Sequence, residues 1–227
     1  MEAFHVIATH PQILTGTGDC NSQYDVFGNF SRAITPNGTP SPHLQWEPTE
    51  QEIFDAITDK RLDEDSMATI PEGMSARAFA AQVARERLRS AVPNVDEYCD
   101  AEINDSMYFT LFPNFHPWGA FNRINYRFRP VGKKVDECLM ECIYTEDYEG
   151  DERPAPAEYI ELGIDQEWTE LIPEIGNLAR VFQQDSFNLP KVQKGLETFR
   201  ADGLTLTKYQ EVKIRHWHAM AERFIAG

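Results

Sequence analysis

An α+β fold is predicted for this chain: an antiparallel sheet through its middle, with a long C-terminal helix lying on it. Three patterns carry that expectation. Ile124, Tyr126 and Phe128 alternate with Asn125, Arg127 and Arg129, the period of two that marks strands with one face on a core. Cys138, Met140, Cys142 and Tyr144 repeat it. Further on, Leu178, Phe182, Asp185, Leu189, Val192, Leu196 and Phe199 recur at steps of four and three, which is one side of a helix facing the core.

Taken in order, residues 1–8 read as the tail of a helix. Pro11 ends it by Thr9, because a residue before proline is pushed out of the α region. Residues 12–45 are rich in Gly, Pro, Ser, Thr and Asn and read as a long loop region with a strand candidate at Tyr24–Ile34. Thr49-x-x-Glu52 is a capping box. It opens a helix to about Lys60, with Ile53, Phe54 and Ile57 inward. A second helix runs from about Ser75 to Ala91, with Phe79, Val83 and Leu88 on one face. Met107–Phe112 is an apolar strand, followed by the two alternating runs, with turns at Pro113–Gly119 and Pro130–Lys134. Residues 147–158 are an acidic loop. A long helical pattern spans 168–200, and a last helix begins at the capping box Thr207-x-x-Gln210. No internal repeat divides the chain.

The 227 residues are enough for one large domain with a sizeable core. A formal net charge of −16 argues against nonspecific binding to nucleic acid or an anionic membrane. It is the charge of a solvated acidic surface, or of one that steers a basic partner. Cys20, Cys99, Cys138 and Cys142 form no C-x-x-C pair, and none stands beside a histidine at metal-ligand spacing. They read as reduced, buried thiols of a cytoplasmic protein. No apolar run approaches the ~18 residues of a membrane helix, and no signal-peptide pattern opens the chain.

The residues that could carry chemistry are few. His5 and His10 lie five apart in an apolar setting, the second before a proline. On a continuous helix their side chains would point about 140° apart. If the helix ends near Ala8, His10 can swing back towards His5. Asp185 interrupts the apolar stripe, and a buried carboxylate needs a cation or several donors. Two readings compete for it. It joins the histidines as a ligand, since two imidazoles and one carboxylate are the set that holds ferrous iron with positions open for oxygen. Alternatively, Pro190 breaks the helix and Asp185 bonds backbone amides at its end. Glu2, one turn before His5, either accepts a ring N–H and orients it or is a solvated surface acid. His216 and His218 are two apart and point to different faces. His43 and His116 are isolated in loops. Gly16-x-Gly18 lacks the third glycine of a dinucleotide fingerprint, and neither a serine nucleophile elbow nor a P-loop is present. The aromatic residues around 108–128 line a pocket or fill a plain core.

These residues resemble the catalytic domain of the large (α) subunit of Rieske-type non-heme iron ring-hydroxylating oxygenases. Glu2-Ala3-Phe4-His5-x4-His10-Pro11-Gln12 is similar to that family's first iron-ligand motif. Leu111-Phe112-Pro113-Asn114 and Tyr126-Arg127-Phe128-Arg129-Pro130 are similar to its middle strands. Phe182-Gln183-Gln184-Asp185-x-x-Asn188, with Val192-Gln193-x-Gly195-Leu196, resembles the helix of the third ligand. Tyr209-Gln210-Glu211 and Ile214-Arg215-His216-Trp217-His218 resemble the closing helix.

The resemblance implies a helix-grip (START-like) fold around an apolar pocket, formed by residues 1–227 as a single catalytic domain. It implies a mononuclear Fe(II) held by His5, His10 and Asp185, with Glu2 as the bridge for electrons from a neighbouring subunit's Rieske cluster. It further implies a homotrimer or α3β3 assembly, ferredoxin or reductase donors, and hydroxylation of an aromatic or other hydrophobic small molecule. The family's subunit opens with a Rieske domain bearing Cys-x-His pairs, and no such pair stands in this sequence. On that comparison the chain reads as a C-terminal piece lacking the first strands, with the [2Fe–2S] cluster expected in the full-length subunit and inactivity expected of the piece alone. The rival from another class is a helix-grip carrier of a lipophilic ligand, with neither metal nor reaction.

Overall fold

The computed structural model describes residues 2–58, 68–119, 121–145, 151–172 and 175–227. The chain divides into two compact units. The first comprises Met1–Thr58, Ala68–Thr145 and Ala201–Gly227, and the second Asp59–Met67 and Glu146–Arg200.

The first unit opens with helix α1 (Glu2–Thr9), which ends where the proline demands. The loop region beyond it holds a hairpin in place of the single strand predicted at Tyr24–Ile34. Strands β1 (Gln23–Val26) and β2 (Phe30–Thr35) pair antiparallel. Phe27 N–H donates to Phe30 O at 2.9 Å, and the two rings stack at 4.6 Å. The Gly28-Asn29 turn between them carries the signal that the single-strand reading passed over.

Helix α2 (Glu50–Ile57) is capped as its sequence predicts. Glu52 N–H donates to the Thr49 hydroxyl, and the Glu52 carboxylate accepts from Thr49 N–H at 2.8 Å. The predicted extension to Lys60 reaches outside the described residues. Helix α3 (Ala76–Leu88) starts behind the Ser75 cap. Ile53 and Phe54 of α2 pack on Ala76 and Phe79 of α3. A second cluster joins Ala81 to Val95 and to Ile103 of α4 (Asp100–Asn104). That short helix has no apolar period in the sequence to announce it.

The sheet continues with β3 (Ser106–Leu111), β4 (Phe115–Pro117), β5 (Ile124–Pro130) and β6 (Cys138–Tyr144). The six strands run in the order β1-β2-β3-β4-β5-β6, every neighbour antiparallel. β4 lies inside the segment predicted as a turn, and three residues are too few for a period to show. The register sorts the side chains by face. Tyr24, Ala33, Thr35, Tyr108, His116, Tyr126, Phe128 and Cys142 share one face. The opposite face carries ion pairs: Asp25 with Arg32, and Glu141 with both Arg127 and Arg129.

In the second unit, α5 (Trp168–Leu171) precedes α6 (Asn177–Thr198). The Trp168 ring packs on Phe182 at 5.3 Å, and the Trp168 backbone N–H donates to Gln183 Oε1. Pro190 lies inside α6, so the alternative reading of a helix break after Asp185 does not hold. One backbone bond is forfeited and the turns on either side supply the rest. The apolar stripe is buried only upstream, at Phe182. Leu189, Val192, Leu196 and Phe199 are exposed.

Helix α7 (Val212–Ala226) returns to the first unit and packs on β1 and β2 over the aromatic face. Its start differs from the predicted box. Glu211, not Gln210, closes back on Thr207: the Thr207 hydroxyl accepts from Glu211 N–H, and the Glu211 carboxylate accepts from Thr207 N–H at 2.5 Å.

One polar staple ties the helical and sheet parts of the first unit together. Asp105, 7% exposed, accepts from both terminal nitrogens of Arg77 (2.5 and 3.1 Å) and from Asn37 N–H. Arg77 also donates to Asn37 O, and Asn37 Nδ2 donates to Asn104 O and Ser106 Oγ. Gly38 follows at φ +77°, where a Cβ would lie 2.7 Å from Arg77 Cα. Removing the cation while leaving the buried carboxylate is costly. Arg77→Met is therefore expected to lower unfolding stability by about 2–3 kcal/mol, read by urea denaturation. A midpoint equal to that of the parent chain would show that the staple carries no stability.

Candidate metal centre

The last turn of α1 sets the geometry of the histidines. His10 N–H donates to Val6 O at 2.9 Å, completing the helical ladder. His10 itself leaves the helix at φ −124°, ψ 51°, and Pro11 begins a 3₁₀ turn over Pro11–Thr15. That exit folds the second ring back on the first. The two Nε2 atoms lie 3.1 Å apart, with ring centroids at 4.7 Å and planes at 83°. His10 is buried and His5 half-buried.

Two facing Nε2 atoms have two ways to coexist. One ring can present N–H and the other its lone pair, or both can present lone pairs to one cation. Two cis metal–imidazole bonds of ordinary length place their nitrogens about 3 Å apart. The observed separation fits either arrangement, and for the second the donor set suits iron, zinc or copper. Asp185 stands on α6 in the second unit and is half-buried, not deep among apolar neighbours as its place in the stripe predicts. The Glu2 side chain lies outside the described residues.

The family described as ring hydroxylating alpha subunit (catalytic domain) matches residues 1–227. This chain belongs to that family. No curated protein and no solved structure matches it. Membership in the ring hydroxylating alpha subunit family makes the chain an oxidoreductase catalytic domain with an oxygenase role.

A ring-hydroxylating domain needs an apolar surface as well as a metal, and the inner face of the sheet is that kind of surface. The Tyr108 and Trp118 rings lie 5.2 Å apart, Trp118 and Tyr126 5.9 Å, His116 and Phe128 5.5 Å. The sequence alone leaves these aromatics open between pocket and core. All of them are half-buried, which is the exposure of a lining. Trp118 adds a polar point: its Nε1–H is buried and has no hydrogen-bond partner among the described residues. From α7, Lys213 Nζ lies 5.2 Å from the Tyr108 ring centroid.

The remaining histidines and cysteines sort differently. His216 reaches Gly28 O, and His218 is exposed against Trp217. His43 is not isolated: its Nε2 lies 3.0 Å from Cys20 Sγ. The 23 residues between them hide that contact from any local spacing rule. The cysteines are free but not buried as predicted, with Cys99 and Cys138 exposed, because the strand and loop ends that carry them face solvent. No helix among the described residues is long and apolar enough to cross a membrane.

His116 lies on this same inner face. Burial first, and the nearby Lys213 charge second, push its imidazole down from 6.5 to about 4. The folded chain therefore keeps this ring neutral while the unfolded chain takes up a proton below about pH 6.5. Its stabilising contribution is full above pH 6.5 and is lost as pH falls towards 4. His116→Gln is expected to flatten the pH dependence of unfolding in that window by about 1–2 kcal/mol, discounting for solvent screening. Superimposable profiles of variant and parent would show that the ring titrates as an exposed histidine does.

Proposed function

We propose that His5, His10 and Asp185 together hold one Fe(II), and that the chain hydroxylates a hydrophobic, aromatic substrate with electrons from a Rieske [2Fe–2S] centre elsewhere in the assembly. The observation that carries the reading is the 3.1 Å approach of two Nε2 atoms in a chain of this family. Iron bound there supplies dioxygen binding and the redox chemistry of hydroxylation.

The chain's own residues supply the rest. Neutral imidazoles from positions 5 and 10 give two nitrogen donors on one side of the ion. A carboxylate from position 185 adds a negative donor and partly balances its charge. Burial of His10 fixes its ring, so the donor direction does not depend on solvent. Tyr108, Trp118, Tyr126 and Phe128 form an aromatic lining of tilted rings against which an apolar substrate packs. The Trp118 N–H, lacking an acceptor among the described residues, donates to an oxygen on that substrate and sets its orientation. His116, held neutral, adds no second charge to the lining beside Lys213.

We further assign Glu2 to the electron path, one helical turn before His5, towards a cluster on a Rieske domain or neighbouring subunit. Assembly is as a homotrimer or α3β3 ring, with ferredoxin or reductase upstream.

Anaerobic Fe(II) titration followed by gel filtration and metal analysis tests the site. About one iron per chain is expected. Asp185→Ala and His10→Ala should each retain less than about a tenth of it. Equal iron in parent and Asp185→Ala would remove the aspartate from the centre. Tight binding of an aromatic ligand, indifferent to loss of both histidines and unaccompanied by iron, would favour the carrier reading instead.

A further inference from the structure

A second donor cluster, independent of the iron reading, lies within the first unit. Asp19 and Cys20 occupy a 3₁₀ turn, Asp19–Asn21, and His43 comes from the loop after β2. The thiol sulfur lies 3.0 Å from His43 Nε2 and 3.9 Å from Asp19 Oδ2. One ligand atom from each residue falls within 4.8 Å of the others. We propose that these three residues bind a soft divalent cation of the zinc type.

The Asp19 carboxylate points to a ligand. It is 2% exposed, and its Oδ1 has no hydrogen-bond partner among the described residues. A buried carboxylate in that condition is expensive unless a cation or donors meet it, and the thiol is a weak donor at best. No Lys or Arg among the described residues is paired with it. A metal ion satisfies the orphaned charge directly.

The donors suit zinc in kind and spacing. Thiolate, imidazole and carboxylate are its ordinary ligands, and tetrahedral bonds of ordinary length put sulfur about 3.6 Å from the other two donor atoms. The observed separations of 3.0 and 3.9 Å straddle that value. The turn is held by Ser22, whose N–H and hydroxyl both donate to Asp19 O. The His43 loop is held by Ser41, whose N–H donates to Leu14 O and whose hydroxyl accepts from His43 N–H. His43 is exposed, so the ion has an entry path and water fills the fourth position. On binding, Cys20 releases its proton to solvent and coordinates as the thiolate. The ion then clasps the turn after α1 to the loop after β2.

Cobalt(II) reports this site apart from the iron site, because His5, His10 and Asp185 include no sulfur. The full chain, stripped of metal and kept reduced and anaerobic, is titrated with Co(II) alone. A near-ultraviolet thiolate-to-cobalt charge-transfer band is expected, saturating at one ion per chain and displaced by zinc. His43→Ala, at an exposed side chain, should weaken Co(II) binding by at least about tenfold. Cys20→Ser should abolish the band, and a chain with both His5 and His10 changed to Ala should retain it. Absence of the band from the parent chain overturns the proposal, as does a band unmoved by His43→Ala. Should Cys20→Ser fail to fold, His43→Ala decides alone.

Discussion

A proline at position 11 decides where two imidazoles meet. Helical geometry would hold His5 and His10 on different sides of one cylinder. The chain instead takes its last helical bond at His10 N–H and turns out of the helix at that same residue. Pro11 has no N–H to continue the ladder and disfavours α geometry at the residue before it. The consequence is a pair of ring nitrogens 3.1 Å apart, on rings that the backbone exit brings to the same side. Such a pair binds a cation well largely because its donors are preorganised: the entropy of orienting them is lost in folding and not again on binding.

The sheet shows the same division of labour between backbone and side chain. Its register sends alternate residues to opposite faces, so one strand can be both ionic and apolar. Arg127 and Arg129 pair with Glu141 on one face, holding that carboxyl down at about 2. Tyr126 and Phe128, before and between them, face inward. A slip of one residue would bring two guanidinium groups into the lining and turn two rings out to water. The ion pairs stabilise little by themselves at such exposure. Their value is in specifying register, since only one alignment places both arginines beside the glutamate.

What the sequence disclosed follows from which forces are local. Strands β3, β5 and β6, helices α2 and α3 and the end of α1 were legible because period, caps and prolines act within a few residues. The hairpin β1–β2 read as one strand, since Phe27–Asn29 is too short to interrupt the pattern. Strand β4 was invisible for the same reason. The burial of α6 was overstated, because periodicity says which side is apolar but not how much of it is covered. His5 and His10 were identifiable as a pair, since the proline that ends their helix directly follows His10. The approach of Cys20 to His43 was not, because it depends on two loops being anchored by Ser22 and Ser41, and no spacing rule contains that.

Two donor sets in one chain raise a question of selectivity that ligand chemistry can answer. Affinity for divalent ions rises from iron to zinc at almost any nitrogen and oxygen site. The proposed centre of two imidazoles and a carboxylate would therefore hold iron through availability and open coordination, not through preference. A thiolate-bearing set is different: sulfur favours the softer ion outright. Placed on a loop near the residues following α1, the proposed Asp19–Cys20–His43 set would take zinc first and leave the harder donors to iron.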